Sequence, residues 1–132
     1  MTRTIKIVAW LLLLSIIVLS VVPPSFRPIT VLPHSIEHLT MFSVTGLAFG
    51  SAYASRYRDT FALVLFAVDF AAGVELVQLM IPGRHARLSD FIVDAFGLCI
   101  GVVFGTWLKQ WTDSRLWPAA TPRLNISSLE GP

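Results

Sequence analysis

The stretch FALVLFAVDFAAGVELVQLMI, residues 61–81, decides the fold class of this chain. Its length is close to the roughly 20 apolar residues that a helix needs to cross a hydrocarbon core of about 30 Å. It nevertheless contains two carboxylates, Asp69 and Glu75, and one amide, Gln78. A charge at membrane depth is costly, so it persists where it is paired, faces other helices or lines a wet cavity. We therefore expect a membrane-spanning helix that carries a polar site, with Glu75 as its first candidate residue.

The composition of the whole chain also indicates a membrane protein. Of its 132 residues, 55% are hydrophobic and 14% are charged, and the mean hydropathy is +0.71. Soluble domains have a lower apolar and a higher charged fraction. The net charge of +2 is small and its basic residues are spread along the chain, which argues against a nucleic-acid partner. The lone Cys99 lies in an apolar run and is predicted to serve packing, and no cofactor is expected.

Three further apolar runs accompany this stretch, at about residues 5–22, 36–54 and 91–108. Together the four runs predict an all-α membrane protein, a small bundle of four transmembrane helices, because each run is near the spanning length. This domain is predicted to occupy residues 1–111. Residues 112–132 contain prolines and serines without an apolar period, and they predict a mobile cytoplasmic tail.

The first apolar run has a second interpretation. It follows Arg3 and Lys6, so it could be a cleaved secretory signal. The residues before Pro23 form a poor cleavage site, however, and the run is long for the apolar part of a signal. Retention as a membrane anchor is therefore favoured.

Lysine and arginine outside the apolar runs predict the orientation, since cytoplasmic loops carry the excess of positive charge. An inward N-terminus places more of these residues in the cytoplasm than outside. We therefore expect a multi-pass protein of the bacterial cytoplasmic membrane with both termini cytoplasmic. Aromatic residues that favour the interface lie at the same predicted inner ends. The inward basic residues are Arg3, Lys6, Arg56, Arg58, Lys109, Arg115 and Arg123, and the outward ones are Arg27, Arg84 and Arg87.

Several polar residues of the predicted helices share one depth near the outer ends. At about 1.5 Å per residue, Glu75 lies roughly 9 Å and Gln78 roughly 4 to 5 Å below the outer end of its helix. Asp94 lies about 6 Å farther along the axis of the last helix than Asp90, and His38 lies near the start of the second helix. These residues predict an outward-facing ligand-binding site.

A glycine stripe continues from the two aspartates of the last helix. Gly97, Gly101 and Gly105 follow in steps of four. Small-residue faces let another helix backbone approach closely in lipid. We expect this stripe to draw Asp90 and Asp94 toward the third helix.

The connection between the last two helices adds cations to the predicted site. Arg84 and Arg87 lie on the side of the membrane where positive charge is disfavoured. The guanidinium fork fits carboxylate and phosphate. Either the two arginines pair with the nearby carboxylates, or they hold an anionic group that arrives from the outer surface.

A set of polar residues, glycines and a proline runs at fixed spacing through the last three predicted helices: His38, Glu75-Leu76-Val77-Gln78, Ile81-Pro82-Gly83-Arg84, Ser89-Asp90, Asp94, Gly97 and Gly101. This set resembles the signature of the VanZ-like family, small bacterial membrane proteins named for a member linked to teicoplanin resistance. The resemblance extends over about residues 35–105. It has two departures, because His34-Ser35 stands where the family usually has Asp-Lys, and Asp94 where it usually has Asn. The resemblance implies a polytopic helical protein with an outward-facing polar site in cell-envelope chemistry.

Each polar residue also has a purely structural explanation. Hydrogen bonds between membrane helices contribute about 0.6 to 2 kcal/mol each and can fix the register of a bundle. Asp69 lies apart from the other polar residues, roughly 18 Å below the outer end and about 120° around the helix from Glu75. Thr45 or Ser43 of the second helix are its candidate partners.

The segment His34-Ser35-Ile36-Glu37-His38 spells an H-x-x-E-H pattern, which is the inverted zincin motif. Two imidazoles one turn apart could ligate zinc, with Glu75 or Asp90 as a third ligand. The family signature requires only His38 of this segment, and so short a pattern arises readily by chance. No metal site is therefore predicted.

Three classes of function remain open. The favoured one is a protein that binds or shields an anionic envelope component, such as a lipid-linked precursor, or an amphiphilic glycopeptide antibiotic. In this role the two loop arginines take the anion, while the carboxylates, Gln78 and His38 arrange it. Membrane lipid is the other expected partner.

The second class is a membrane-embedded hydrolase or transferase that acts on a lipid-linked envelope substrate, with Glu75 and His38 as candidate acid and base. Its weakness is the nucleophile, since Ser89 is the one suitable nearby hydroxyl and lacks a Gly-x-Ser-x-Gly frame. The third class is a structural or assembly subunit, in which the polar network only holds helices together.

Overall fold

The computed structural model describes residues 2–22, 33–81 and 87–116. For Thr2, His34 and Leu116 it describes the backbone only. Within these ranges the chain forms four α-helices and no strand, which confirms the predicted all-α fold. The helices are α1 (Thr2–Val21), α2 (His34–Tyr53), α3 (Tyr57–Leu79) and α4 (Leu88–Leu116).

Helix α4 continues past the predicted end of the domain. It reaches Leu116, so residues 112–116 are helical where the tail was predicted to begin, and the rest of that tail lies outside the described residues. The guanidinium of Arg115 lies 5.2 Å from the ring centre of Trp111, one turn earlier. Such a pair supports a helix at its end. The boundary after residue 111 was predicted from the loss of apolar residues there. A helix can continue beyond its apolar part, so this loss does not indicate where α4 ends.

Three of the four helices, α1, α3 and α4, are long and apolar enough to cross a membrane. Helix α2 was predicted as a span as well, and its 20 residues give it a length of about 30 Å. Its apolarity is lower because it carries Glu37, His38 and several hydroxyl side chains. Helix α2 contacts both α1 and α4, so much of its polar surface is sheltered by protein.

The tightest packing in the structure joins α2 and α4. An added Cβ on Gly101 would lie 2.1 Å from the carbonyl oxygen of Ser43, and one on Gly105 would lie 2.2 Å from that of Leu47. The contacted residue of α2 moves from Ser43 to Leu47 as the glycine of α4 moves from Gly101 to Gly105. Residue numbers therefore increase in the same direction along both helices, and α2 and α4 run parallel. The contact is reciprocal, because a Cβ on Gly46 of α2 would meet the carbonyl oxygen of Leu98 at 2.2 Å. Glycine is therefore required on both sides for this close approach.

This packing corrects the predicted role of the glycine stripe. The stripe brings α4 against α2, whereas it was expected to bring Asp90 and Asp94 toward α3. The sequence of α2 explains the choice, since Gly46 and Gly50 follow in a step of four and form a second small-residue face. Two backbones approach most closely where both helices lack side chains.

Helices α1 and α3 complete the bundle around this pair. Ala67, Ala71 and Val74 form the buried face of α3 and pack with Phe42 and Leu98 in one core cluster. A second cluster, nearer the N-terminus of α1, joins α1 to α2. At that end the indole N–H of Trp10 donates to the hydroxyl of Tyr53 at 2.8 Å.

We expect Gly101→Ala to lower the free energy of unfolding by about 1 to 3 kcal/mol, because its methyl group meets a backbone carbonyl that cannot move aside cheaply. Gly73→Ala is the matched control. A Cβ on Gly73 has nothing within 4 Å, so this variant should be neutral or gain up to about 1 kcal/mol from helix propensity. Unfolding in dilute detergent, followed by circular dichroism, measures both. Equal effects of the two variants would contradict the close α2–α4 contact.

Candidate functional site

The side chains of His38 and Asp94 form a buried hydrogen-bonded pair near the start of α2 and α4. The Nδ1 of His38 lies 2.9 Å from Oδ1 and 3.2 Å from Oδ2 of Asp94. Because an ionised carboxylate only accepts hydrogen bonds, Nδ1–H is the donor. The exposed fraction is 9% for His38 and 0% for Asp94. The parallel helix pair thus buries a carboxylate and an imidazole together, one from each helix.

The orientation of the His38 ring is fixed from two sides. Asp94 holds Nδ1, and the ring of Phe42, one turn later on α2, stacks on the imidazole with a centroid distance of 5.8 Å and an interplanar angle of 14°. A carboxylate that accepts from one ring nitrogen sets the tautomer and directs the other nitrogen away. This arrangement holds an imidazole in a defined position for binding or proton transfer.

Glu75 connects α3 to the start of α4. Its Oε1 accepts a hydrogen bond from the backbone N–H of Arg87, the residue that precedes α4. The carbonyl of Arg87 accepts from the backbone N–H groups of Asp90 and Phe91 in the first turn of α4. The carboxylate of Glu75 therefore lies where the unpaired N–H groups and the dipole of a helix N-terminus favour negative charge.

Glu75 also lies within electrostatic range of Asp90, Asp94 and His38. Three carboxylates and one imidazole from three helices thus meet at one end of the bundle. We call this end, where α2 and α4 begin and α3 ends, the polar end; it is formed by Glu37, His38, Glu75, Gln78, Arg87, Asp90 and Asp94.

Three buried polar atoms of the polar end have no hydrogen-bond partner among the described residues. They are Oε2 of Glu75, Nε2 of Gln78 and Oε1 of Glu37. Gln78 is only 5% exposed. A buried polar atom without a partner costs about 1 to 3 kcal/mol, so such atoms point to a bound group or water. Here they offer two acceptors and one donor.

The guanidinium of Arg87 lies at the edge of this cluster. Its side chain is exposed, and it forms no salt bridge with a carboxylate of the described residues. Of the two alternatives considered for Arg87, pairing of its guanidinium with a nearby carboxylate is not formed among the described residues. Asp90 is half-buried and accepts instead from the hydroxyl of Ser89 at 3.2 Å. Arg84, the other predicted cation, lies outside the described residues.

Asp69 does not have the partners that the sequence analysis expected. It is exposed on α3, whereas Thr45 is fully buried and donates to the carbonyl of Met41. Ser43 lies against Gly97 of α4. The reason is rotational, because Asp69 lies on the face of α3 opposite the one that packs into the bundle.

The H-x-x-E-H segment lies partly in the polar end. His38 points toward Asp94, and the side chain of His34 lies outside the described part of the chain. Among the described residues, no group of three His, Cys, Asp or Glu side chains could hold a metal ion. The segment therefore contributes an imidazole and the half-buried side chain of Glu37 to the polar end.

Sequence reasoning missed two contributors to this site. The backbone N–H of Arg87 was not predicted as a partner of Glu75, although its place just before a helix is a signal for a free N–H group. Glu37 was considered only as part of a zinc motif. Its position beside His38 places it at the same end of the bundle, and its burial depends on tertiary packing that the sequence does not reveal.

Comparison with protein families gives one match. Residues 7–109, most of the chain, match the VanZ/LLP1 family. This range includes α2 and α3 and every described residue of the polar end. Comparison with curated proteins gave no match, and comparison with solved structures gave none.

We expect His38→Ala to lower the free energy of unfolding by about 3 to 5 kcal/mol, because it leaves the carboxylate of Asp94 buried without its partner. Asp94→Asn should cost less, about 1 to 2 kcal/mol, since the amide oxygen still accepts from Nδ1–H. A double variant with His38→Ala and Asp94→Asn should be more stable than the sum of the two losses predicts. Unfolding in detergent measures all three, and strict additivity would contradict the pair.

Proposed function

The chain belongs to the VanZ/LLP1 family, and from this premise we propose that it is a multi-pass protein of the bacterial cytoplasmic membrane that binds or shields an anionic envelope component. The ligand is a lipid-linked precursor or an amphiphilic glycopeptide antibiotic. In this proposal the polar end faces the outer surface, because that orientation leaves most of the basic residues on the cytoplasmic side.

One observation carries the proposal. Unpartnered buried atoms of Glu75 and Gln78 lie at the same end of the bundle as the exposed guanidinium of Arg87. A polar group that fills this position satisfies the buried donor and acceptor, and an anionic part of the same molecule pairs with the arginine. A cluster that served only to hold helices together would leave fewer of its own atoms unpaired.

These atoms define the chemistry of the ligand. Oε2 of Glu75 accepts hydrogen bonds, so it requires a hydroxyl, amide or ammonium donor. Nε2 of Gln78 donates, so it requires a carbonyl or ether oxygen. A headgroup that combines an anion with sugar or peptide groups meets both requirements. Attachment to a lipid chain would bring such a headgroup to the depth at which these residues lie.

A second candidate function is acid–base catalysis on such a molecule. The observation that favours it is the buried Asp94–His38 pair, in which a carboxylate orients an imidazole as it does in many hydrolases. The candidate nucleophile does not support it, because the hydroxyl of Ser89 is exposed and bonds to Asp90. Binding therefore remains the better supported function. A structural or assembly role is the third candidate.

The Arg87 side chain provides the test of anion binding. Arg87→Gln removes the charge and keeps the backbone N–H that Glu75 uses. We expect it to weaken binding of a polyprenyl phosphate about tenfold, the effect of losing one charge-assisted hydrogen bond. Native mass spectrometry of the purified protein can measure this, with the uncharged polyprenol of equal length as the second probe.

Arg58→Gln is the matched control for this experiment, because Arg58 is also exposed but lies at the opposite end of the bundle, in the first turn of α3. It should leave polyprenyl phosphate binding unchanged. Equal weakening by the two variants, or equal binding of the phosphate and the alcohol, would contradict a specific anion site at Arg87.

Glu75→Gln separates the three functional classes in a cell-based envelope phenotype. The amide retains an acceptor for the backbone N–H of Arg87 and removes the proton-transfer group. Loss of the phenotype with unchanged unfolding excludes a purely structural role. A retained phenotype excludes proton transfer by Glu75, and leaves binding and a structural role as the remaining classes.

A further inference from the structure

Six basic side chains lie at the end of the bundle opposite the polar end, where α1 and α3 begin and α2 and α4 end. Five of them are exposed, and Lys109 is half-buried. Asp59 and Asp113 are the two carboxylates of the described residues at this end, so its net charge is positive. We call it the basic end; it is formed by Arg3, Lys6, Arg56, Arg58, Lys109 and Arg115.

Two lysines of the basic end lie at the short connection between α2 and α3. The Nζ of Lys6, from α1, lies 4.9 Å from the ring centre of Tyr53, the last residue of α2. The Nζ of Lys109, from α4, donates to the hydroxyl of Ser55 at 3.1 Å. Ammonium groups from the first and the last helix thus have neighbours that are two residues apart in the chain.

The fold positions both ammonium groups. The hydroxyl of Tyr53 accepts from the indole N–H of Trp10 at 2.8 Å, and its ring stacks on Phe49 at a centroid distance of 5.8 Å. A ring held in this way attracts the cation of Lys6. Lys109 is held by its partial burial and by its hydrogen bond. The two lysines therefore differ from freely moving surface charges.

No carboxylate of the described residues forms an ion pair with either lysine. Asp59, the carboxylate closest to the connection in sequence, accepts from the backbone N–H groups of Ser55 and Arg56 at 3.1 and 3.0 Å and so caps the start of α3. An ammonium group has three N–H donors, and Lys109 gives one of them to Ser55. Both lysines therefore keep donors for an anion with several oxygen atoms.

Aromatic rings place the two lysines at the depth of lipid headgroups. Trp10 follows Lys6 by about one turn of α1, and Trp107 and Trp111 flank Lys109 on α4. Each of these indoles is about half exposed. Such amphipathic rings favour the boundary between headgroups and acyl chains. The lysines thus lie where the phosphate groups of phospholipids are concentrated.

This depth favours a phospholipid over a soluble phosphate compound. Ile7 and Leu11 of α1 and Phe61 of α3 are exposed, and they lie between the basic end and the middle of the membrane. Acyl chains of a lipid bound at the lysines contact these apolar side chains. The bilayer also holds its phosphates beside the site at high local concentration, whereas a soluble phosphate is present only at its bulk concentration.

We propose that Lys6 and Lys109 bind the phosphate of an anionic phospholipid beside the α2–α3 connection. Basic pockets between membrane helices bind such headgroups. Phosphatidylglycerol suits the site better than phosphatidylcholine, because choline brings a cation that the net positive charge of the basic end repels. The site is independent of the polar end and of its ligand, since it lies at the other end of the bundle.

The first experiment measures phosphatidylglycerol binding to the purified full chain by native mass spectrometry, with phosphatidylcholine of the same acyl chains as the second probe. We expect the wild-type chain to bind phosphatidylglycerol about tenfold more tightly. Lys6→Gln and Lys109→Gln should each weaken this binding about fivefold, since each removes one cation beside the phosphate. Circular dichroism confirms that each variant is folded, and Lys6→Gln changes an exposed residue.

Arg115→Gln is the matched control, because Arg115 belongs to the same end but its guanidinium lies on Trp111 of its own helix. It should change phosphatidylglycerol binding less than about twofold. Arg87→Gln, at the polar end, should leave this binding unchanged, which separates the result from that for polyprenyl phosphate. Lys6→Arg keeps the charge and should retain most of the binding.

Three results would overturn the proposal. Equal binding of phosphatidylglycerol and phosphatidylcholine shows that the charge of the headgroup is not recognised. Equal weakening by Arg115→Gln and Lys6→Gln shows general attraction by the net charge in place of a site at the connection. Displacement of the lipid by glycerol phosphate at equal concentration identifies a soluble phosphate compound as the ligand.

Discussion

The close approach of the α2 and α4 backbones is the constraint on which the rest of this structure depends. Five glycines leave carbonyl oxygens of one helix where a Cβ of the other would lie. The short distance between the two backbones brings the first turns of both helices together, so His38 contacts Asp94 inside the protein. Once that pair is fixed, the start of α4 is also fixed, and Glu75 of α3 finds the backbone N–H of Arg87. The polar end is thus a consequence of backbone packing deeper in the bundle.

Much of the fold could be predicted from the sequence, because apolar runs of spanning length predict helices whatever their arrangement. The four runs became four helices. The neighbour of the glycine stripe was predicted wrongly, since the stripe of α4 identifies a face but not the helix that covers it. The missing information was present in Gly46 and Gly50 of α2, whose matching spacing makes that helix the better partner. Comparing small-residue faces between helices would have given the correct pairing.

The candidate site was predicted less completely. Burial of Gln78 and Asp94, and of one carboxylate oxygen of Glu75, agrees with the rule that polar residues in membrane helices face protein. The same rule led to expected partners inside the bundle for Asp69, whereas this residue is exposed on the opposite face of α3. Arg87 was expected to contribute its guanidinium. In the structure it is the backbone N–H of Arg87 that donates to Glu75, and the type of a residue does not indicate a backbone contact.

The modest apolarity of α2 has a consequence for how the chain is made. This helix precedes α4 in the chain, and α4 is the helix against which its glycines pack and to which His38 forms a hydrogen bond. A segment of such modest apolarity gains less by entering lipid alone than α1, α3 or α4 does. We therefore expect the stable placement of α2 in lipid to depend on its packing against α4, which follows it in the chain. On this expectation, substitutions that weaken the glycine-lined contact between α2 and α4 also weaken the retention of α2 in the membrane.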